Sequence, residues 1–224
     1  MELGVFSRAV PCSGRMEGSV STTLSRTTPP VVFFLGGPGS GKGTCSQRVS
    51  AENPDFVYFS VGSLLRAEKQ SGSELGKAIS GLIDRGVIVP PEMSMAVMRR
   101  ALEAHAHHSA VLIDGFPRSL QQDDGWVESF GLPALVVVLD SSEECMRLRL
   151  SERSRTSGRA DDKVSVLDKR FEQYATETRP VEQRYAALEG GRLLLTVNAM
   201  QDKESVYQDV KNGLIHKGIW TNGH

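Results

Sequence analysis

The fold of this chain is best predicted from Gly36-Gly37-Pro38-Gly39-Ser40-Gly41-Lys42-Gly43-Thr44, a glycine-rich stretch between an apolar run and a helical one. In a strand-loop-helix setting the glycine backbone curls until successive amide N–H groups point at an anion. The helix N-terminus adds partial positive charge, and the lysine reaches the β- and γ-phosphate oxygens. The stretch therefore predicts a triphosphate-binding loop. It departs from the generic pattern at Gly43, which separates Lys42 from the hydroxyl residue Thr44.

Apolar runs alternate with helical stretches along the chain, at residues 31–35, 56–59, 111–114, 134–140 and 193–197. Continuous apolar runs, rather than strict alternation, are typical of strands that crossover helices bury on both faces. We therefore expect an α/β fold with a five-stranded parallel sheet and helices on both sides. Ser141 and Glu144 match a capping box, so the helix after the fourth strand is predicted to start at Ser141. Pro180 is predicted to kink or interrupt the amphipathic helix that begins at about residue 162.

The composition suits one compact α/β unit of 224 residues. The 26 Lys and Arg residues nearly balance the 27 Asp and Glu residues, so no global basic surface indicates nucleic acid or an anionic membrane as a partner. The three cysteines are widely spaced and form no CxxC motif, which is typical of free thiols in a reducing compartment. We therefore expect a cytoplasmic protein and a monomer.

The first thirty residues differ from the rest of the chain, being rich in Ser and Thr and ending in Thr27-Thr28-Pro29-Pro30. They contain no apolar segment of the kind found in signal peptides or membrane helices. Their three arginines are typical of a mitochondrial presequence, but their two glutamates are not. We interpret residues 1–30 as a disordered or targeting extension, with a mitochondrial location as the alternative. The folded domain is predicted at residues 31–218 and a tail at residues 219–224.

The motif Asp114-Gly115-Phe116-Pro117-Arg118 ends the third apolar run. A carboxylate at the tip of a strand beside the loop can hold Mg²⁺ through water, because magnesium binds few protein carboxylates and keeps most of its waters. The alternative for Asp114 is an ordinary turn or capping role. Arg118, presented by a rigid Phe-Pro turn, suits bidentate contact with a phosphate.

One stretch is rich in arginine, with Arg147, Arg149, Arg153, Arg155, Arg159 and Arg170. We interpret Arg147 and Arg149 as solvated charges on a surface helix. Arg153 and Arg159 flank a short Gly/Ser loop, and Arg170 lies in the next helix. Transfer between two nucleotides gathers many phosphate charges, which cationic clamps stabilise, and a closing lid keeps water from the γ-phosphate. A switch protein that only hydrolyses or holds nucleotide is the competing class, but it needs a positioned water instead of these clamps.

These motifs together resemble the nucleoside monophosphate kinases, specifically the short-lid adenylate kinases and their relatives the UMP/CMP kinases. The resemblance covers residues 31–214 and includes Ser60-Val61-Gly62-Ser63-Leu64-Leu65-Arg66, Gly86-Val87-Ile88-Val89-Pro90, Thr156-Ser157-Gly158-Arg159-Ala160-Asp161-Asp162 and Lys169-Arg170-Phe171. It implies a P-loop NTPase-type fold with an acceptor-binding lobe at about 60–90 and a short lid at about 153–163. It also implies transfer of the γ-phosphate of ATP to a nucleoside monophosphate, with Mg²⁺ as cofactor.

The resemblance further implies a role for individual positions. The catalytic set is Lys42, Arg118, Arg153, Arg159 and Arg170. Residues 37–44 and Arg153 bind ATP. Asp161 and Asp162 help to hold the lid closed. Asp114 holds the magnesium through water. The acceptor is bound by Ser60, Val61, Arg66, Val87, Ile88, Val89, Gly115, Phe116, Pro117, Arg118, Gln122, Arg159 and Arg170.

Two positions, Val61 and Gln122, bear on the acceptor base, and Ser63 is a further departure from the family pattern that bears on a helix cap or a contact of the acceptor-binding lobe. Val61 stands where adenylate kinases usually have Thr and pyrimidine kinases Ala, and Ser63 stands where the family usually has Asp. The choice of base therefore depends on Gln122, because the corresponding glutamine of adenylate kinases reads adenine whereas UMP/CMP kinases typically have Asn. We expect AMP as the acceptor, with CMP or UMP as the alternative. A solvated glutamine on a helix is the non-functional interpretation of Gln122.

Overall fold

The computed structural model describes residues 29–85, 87–157 and 164–220. The extension at residues 1–28, Gly86, the predicted lid residues Arg159, Asp161 and Asp162, and the last four residues of the tail lie outside the described residues. All structural statements below concern the described parts.

A five-stranded parallel sheet forms the centre of the molecule, in the order β2-β3-β1-β4-β5. Its strands are β1 Val31–Leu35, β2 Phe56–Ser60, β3 Ala110–Asp114, β4 Leu135–Asp140 and β5 Leu194–Asn198. The predicted parallel sheet is confirmed, and each strand end lies within one residue of its predicted position. The helices are α1 Lys42–Glu52, α2 Val61–Gln70, α3 Glu74–Asp84, α4 Pro91–Ala104, α5 Leu120–Phe130, α6 Glu143–Ser157, α7 Val164–Gln173, α8 Arg179–Ala187 and α9 Lys203–His216.

Both faces of the sheet are covered, which explains why the central strands are apolar up to the aspartates that end β3 and β4. Phe34 points to one face, where Val49 of α1 and Val210 of α9 pack against the sheet. Phe33 points to the other face, where Trp126 of α5 lies with its ring centroid 5.1 Å from that of Phe33. All of these side chains are almost completely removed from water, so they contribute the hydrophobic stabilisation that holds the sheet to its helices.

The start of α6 differs from the prediction. The amide of Cys145 donates to Oγ of Ser142 at 3.3 Å, so Ser142 is the capping residue and α6 begins at Glu143. Ser141 is 7% exposed, and its hydroxyl contacts no partner in the part of the chain that the structure describes. The predicted capping position, Ser141, is therefore wrong by one residue, because the fold buries Ser141 and leaves Ser142 at the helix end.

Pro180 interrupts the helix in which it lies, as predicted. Helix α7 continues into a π-helical turn, Tyr174–Thr178, and α8 follows with Pro180 in its first turn. At this junction the amide of Arg179 donates to the carbonyl of Tyr174, five residues earlier. Proline has no N–H, and its ring would clash with the carbonyl four residues before it, so a wider turn accommodates it.

Candidate active site at the phosphate-binding loop

The glycine-rich loop joins β1 to α1, which is the strand-loop-helix setting that the sequence predicts. Gly36, Gly39 and Gly41 have positive φ angles of 129°, 85° and 99°. A Cβ atom on Gly39 would lie 2.6 Å from the carbonyl oxygen of Met146, and one on Gly36 would lie 2.6 Å from that of Leu139. The loop therefore requires glycine for its backbone conformation and for its close packing against β4 and α6.

The loop forms one wall of a cleft of about 870 Å³. The cleft brings together predicted residues from five separate stretches, including Lys42, Ser60, Asp114, Arg153 and Arg170. A smaller cavity of about 80 Å³ adjoins it and is lined by Val61, Val87, Val89, Phe116 and Gln122. Both cavities share Gly62, Arg66, Gly115, Arg118, Arg170 and Gln173. The predicted ATP-binding and acceptor-binding residues that the structure describes thus line these two connected cavities. The exception is Gly37, whose Cα faces Met146 and Tyr174.

Lys42 lies inside the curl of the loop. Its Nζ atom donates to the carbonyl oxygens of Gly36 and Gly37, both at 2.8 Å, and to Oγ of Ser40 at 3.3 Å. The pKa of Lys42 is lowered to about 8, mainly by burial; the Asp114 charge opposes this shift, and the charges of Arg118 and Arg170 add to it. The ammonium is therefore held by the loop, close to other cations, at the place where a phosphate would supply the missing negative charge.

Asp114 ends β3 directly beside the start of α1. A Cβ atom on Gly43 would lie 3.2 Å from Oδ2 of Asp114 and 3.4 Å from the hydroxyl of Tyr58. The departure from the generic loop pattern thus has a steric reason, since Gly43 leaves room for the carboxylate. Asp114 and the exposed Thr44 supply the hard oxygen ligands that Mg²⁺ prefers, so these residues fit a magnesium ion held through water.

Tyr58 is a site residue that the sequence did not identify. Its hydroxyl donates to Oδ2 of Asp114 at 3.2 Å. Burial, together with the Asp114 charge, raises the pKa of Tyr58 to about 12, so the phenol keeps its proton. The signal in the sequence is a single tyrosine among the apolar residues of β2, which is too common to interpret alone.

Two guanidinium groups converge above Gly62. A Cβ atom there would lie 3.3 Å from Nη1 of Arg66 and 3.8 Å from Nη2 of Arg118. Nε of Arg118 donates to the carbonyl of Gly115 at 2.8 Å, and Nη2 of Arg66 donates to Oγ of Ser63 at 3.1 Å. Ser63, which replaces the usual family carboxylate, therefore still orients Arg66, and the two arginines form a site suited to one phosphate group.

Arg149 is not the solvated charge that the sequence analysis expected. Its Nη2 atom donates to the carbonyl of Ala199 at 2.8 Å, and its side chain lines the cleft beside the loop. Arg147 is half-exposed, but it pairs with Asp168 of α7 at 2.7 Å and lies over the ring of Phe171. The expectation is wrong for Arg149 and incomplete for Arg147, because α6 packs against the loop on one side and against α7 on another.

Gln122 is buried, with 3% of its surface exposed, so the interpretation as a solvated glutamine is wrong. Its Nε2 atom donates to the carbonyl of Val89 at 2.7 Å, and its Oε1 atom accepts from the amide of Arg118 at 2.8 Å. An amide group has two donor hydrogens and two acceptor lone pairs. The fixed amide therefore keeps one donor and one acceptor position for a further partner in the smaller cavity.

Known proteins resemble this chain over most of its length. The family model for adenylate kinase matches residues 34–189. Human adenylate kinase isoenzyme 1 is 38% identical over 181 residues, which are 80% of this chain and 91% of the human protein. The isoenzyme from Cyprinus carpio is 40% identical over 156 residues, or 69% of this chain and 80% of the carp protein. Uridylate kinase from Saccharomyces cerevisiae is 36% identical over 187 residues, or 82% of this chain and 90% of the yeast protein.

The matched span is more than half of the chain and contains the glycine-rich loop, the turn at Arg118 and the helix of Arg170. These are the parts that line the two connected cavities. Motif, fold and overall similarity thus lead to one assignment, and the chain belongs to the adenylate kinase family of nucleoside monophosphate kinases.

Proposed function

We propose that this enzyme transfers the γ-phosphate of ATP to AMP, reversibly, so that ATP and AMP yield two ADP. The proposal rests above all on Gln122, a buried amide that backbone groups hold at the wall of the smaller cavity. A buried amide requires partners for its remaining donor and acceptor. The Watson–Crick edge of adenine offers a ring nitrogen that accepts and an exocyclic amine that donates.

The two cavities divide the reaction between them. In the larger cavity the loop amides and Lys42 hold the triphosphate of the donor. In the smaller cavity Arg66 and Arg118 hold the acceptor phosphate. Arg170 lines both cavities, so its guanidinium is placed to stabilise charge on the group in transfer. Asp114, oriented by Tyr58, would hold Mg²⁺ through water, and the metal supplies neutralisation of phosphate charge.

CMP or UMP is the second candidate acceptor. Val61 lies in the smaller cavity and provides no hydroxyl there. The similarity to a uridylate kinase is nearly as high as that to adenylate kinases. A cavity with a single adenine-reading side chain is expected to discriminate less strongly than one with two.

A panel of AMP, CMP, UMP, dCMP and GMP as acceptors, with ATP and Mg²⁺ as donor, tests the proposal. The highest kcat/KM is expected for AMP, and turnover is expected to require an added monophosphate. A higher kcat/KM for CMP or UMP would instead assign the enzyme to the pyrimidine kinases. Turnover without any acceptor would contradict phosphate transfer between nucleotides.

Gln122→Asn is predicted to lower kcat/KM for AMP by ~10–100-fold, the effect of about 1–3 kcal/mol from a lost or unsatisfied hydrogen bond. The shorter side chain withdraws the amide from the purine, so CMP and UMP should lose less or gain. Gln121→Asn is the matched control, because Gln121 is the exposed neighbour on the same helix. An unchanged ranking of acceptors in Gln122→Asn would exclude Gln122 as the base-reading residue.

The pH dependence of catalysis should report Lys42, whose pKa burial lowers to about 8. The protonated ammonium is the form that binds phosphate, so kcat/KM for ATP is expected to fall as the pH rises through about 8. Bound triphosphate adds negative charge beside the ammonium and raises its pKa, so kcat at saturation should fall only at higher pH. Measurement of kcat and of kcat/KM for ATP as functions of pH checks this difference. If both fall at the same alkaline pH, which is the alkaline limit of the profile, the prediction is contradicted.

Several expectations from the sequence stay predictions. They are the short lid at about 153–163, the acceptor-binding lobe at about 60–90, the monomeric state and the cytoplasmic location. Cys45 and Cys145 are free thiols. In addition, the described helices include none that is both long enough and apolar enough to cross a membrane.

A further inference from the structure

A buried polar network lies directly beside Gln122. Asp123 is completely buried, and its Oδ1 atom accepts from the hydroxyl of Tyr185 at 2.6 Å. Its Oδ2 atom accepts from Nη1 of Arg184 at 2.9 Å. Arg184 also donates to Asp124, whose side chain is 62% exposed. The network thus joins the first turn of α5 to α8, across the protein interior.

Such a network is costly unless it is complete. A buried carboxylate must be paired and hydrogen-bonded, and here each oxygen of Asp123 has a partner on α8. Apolar packing already fixes the axis of α5, since Trp126 lies against Phe33 and Phe116 in the core. Hydrogen bonds are directional, whereas apolar contacts are not. The network therefore adds a directional restraint on the rotation of α5 about its axis, beside the apolar packing of Trp126.

The rotation of α5 determines where the Gln122 amide lies. The amide is bonded to the carbonyl of Val89 and to the amide of Arg118, so it tolerates little displacement. The carbonyl of Arg118 accepts in turn from Oγ1 of Thr178 at 2.9 Å, in the π-helical turn that precedes α8. The segment comprising this turn and α8 therefore contacts Arg118, which lines the acceptor site, and Asp123, the neighbour of Gln122.

We propose that Asp123, held by Tyr185 and Arg184, is a positioning residue that fixes the Gln122 amide for recognition of the acceptor base. This inference rests on the proposed function of Gln122. Asp123 lines neither of the two cavities, so it acts only through its neighbour Gln122. Its contribution belongs to acceptor selection and leaves the handling of ATP unchanged.

Steady-state kinetics of Asp123→Asn and Tyr185→Phe, with AMP and CMP as alternative acceptors, test the inference. Both variants are expected to raise KM for AMP by about tenfold or more, because small displacements of positioning groups are costly. KM for ATP should stay within about twofold, and the preference for AMP over CMP should shrink by a similar factor to the rise in KM. Asp124→Asn is the matched control, because it removes the exposed partner of Arg184 and keeps the buried one, Asp123. It should leave KM for AMP, KM for ATP and the preference for AMP unchanged.

A double-mutant cycle with Gln122→Asn separates positioning from stability. If Asp123 acts through Gln122, adding Asp123→Asn to Gln122→Asn should cost almost nothing further in kcat/KM for AMP. Fully additive losses, or equal losses with AMP and CMP, would overturn the inference and leave Asp123 a purely structural residue. Should Asp123→Asn fail to fold, Tyr185→Phe decides, because it keeps the carboxylate and the Arg184 contact.

The same data distinguish the inference from the proposed function. An unchanged acceptor ranking in Gln122→Asn would overturn the base-reading role of Gln122 and with it the positioning role of Asp123, whereas the acceptor panel with the wild-type enzyme decides whether AMP is the preferred acceptor. A changed ranking in Gln122→Asn, combined with unchanged ranking in Asp123→Asn and Tyr185→Phe, would overturn the positioning role alone.

Discussion

Lys42→Ala is expected to lower kcat by about 10³-fold or more, since removal of a single preorganised donor to transition-state charge typically costs ~10²–10³-fold. The loss should exceed that of an ordinary donor because the lysine carries a full charge that is partly desolvated, as its lowered pKa indicates. The interaction strengthens as charge develops on the transferring group, so kcat should fall more than the affinity for ATP. Steady-state rates with ATP and AMP, together with direct ATP binding, measure the two effects separately.

The fold should survive this substitution. Burial lowers the pKa of Lys42, which means that the folded state holds the ammonium at a desolvation cost, so its removal should leave the melting temperature unchanged or higher. Lys77→Ala is a suitable control, because Lys77 pairs with Glu74 on the exposed face of α3. A near wild-type kcat in folded Lys42→Ala would remove the catalytic role from the glycine-rich loop.

The sheet was predictable from the sequence because its signal is local. Every residue of a strand buried on both faces must be apolar, so the run itself marks the strand, as in β4 with its five buried residues from Leu135 to Leu139. The start of α6 was not predictable to the residue. Ser141 and Ser142 have the same capping chemistry, and only the tertiary fold decides which of them is buried.

The site was predictable where one short segment contains the whole motif, as in the loop around Lys42 and the turn at Arg118. It was not predictable where the partners are distant in sequence. Arg149 contacts a carbonyl 50 positions later, Tyr58 an aspartate 56 positions later, and Asp123 a tyrosine 62 positions later. Periodicity places such residues on a helix or strand, but it does not tell which other element they face.

Glu182 is another residue whose contacts with distant parts of the chain could not be predicted from the sequence. It lies on α8, and its Oε2 atom accepts from the hydroxyl of Tyr174 at 3.3 Å, while Oε1 has no hydrogen-bond partner within the described ranges. Burial raises the pKa of Glu182 to about 7, although Lys42 is close enough to oppose this shift. The sequence presents Glu182 as one more charge on a helix surface, because nothing local indicates that the phosphate-binding loop packs next to it.

Arg170→Ala is the second substitution with a large expected effect. Arg170 lines both cavities, and α7, which carries it, is held against α6 through Arg147 and Asp168. An arginine that stabilises charge on a transferring phosphoryl group is worth about 10³–10⁵-fold in kcat. We expect a loss of kcat in this range and a change of KM for ATP of only a few-fold. Arg170→Lys should recover little, because a point charge does not replace a bidentate guanidinium.

Lys169→Ala is the control for Arg170→Ala, since Lys169 is the exposed neighbour on the same helix. A second readout comes from Lys42. The charge of Arg170 helps to lower the pKa of Lys42, so its removal should raise that pKa and move the alkaline limit of kcat/KM for ATP to higher pH. An increase of KM alone, with kcat and the alkaline limit unchanged, would place Arg170 in ground-state binding, away from the group in transfer. A loss of kcat accompanied by the shift of the alkaline limit would instead locate its charge beside Lys42, where the γ-phosphate leaves the donor.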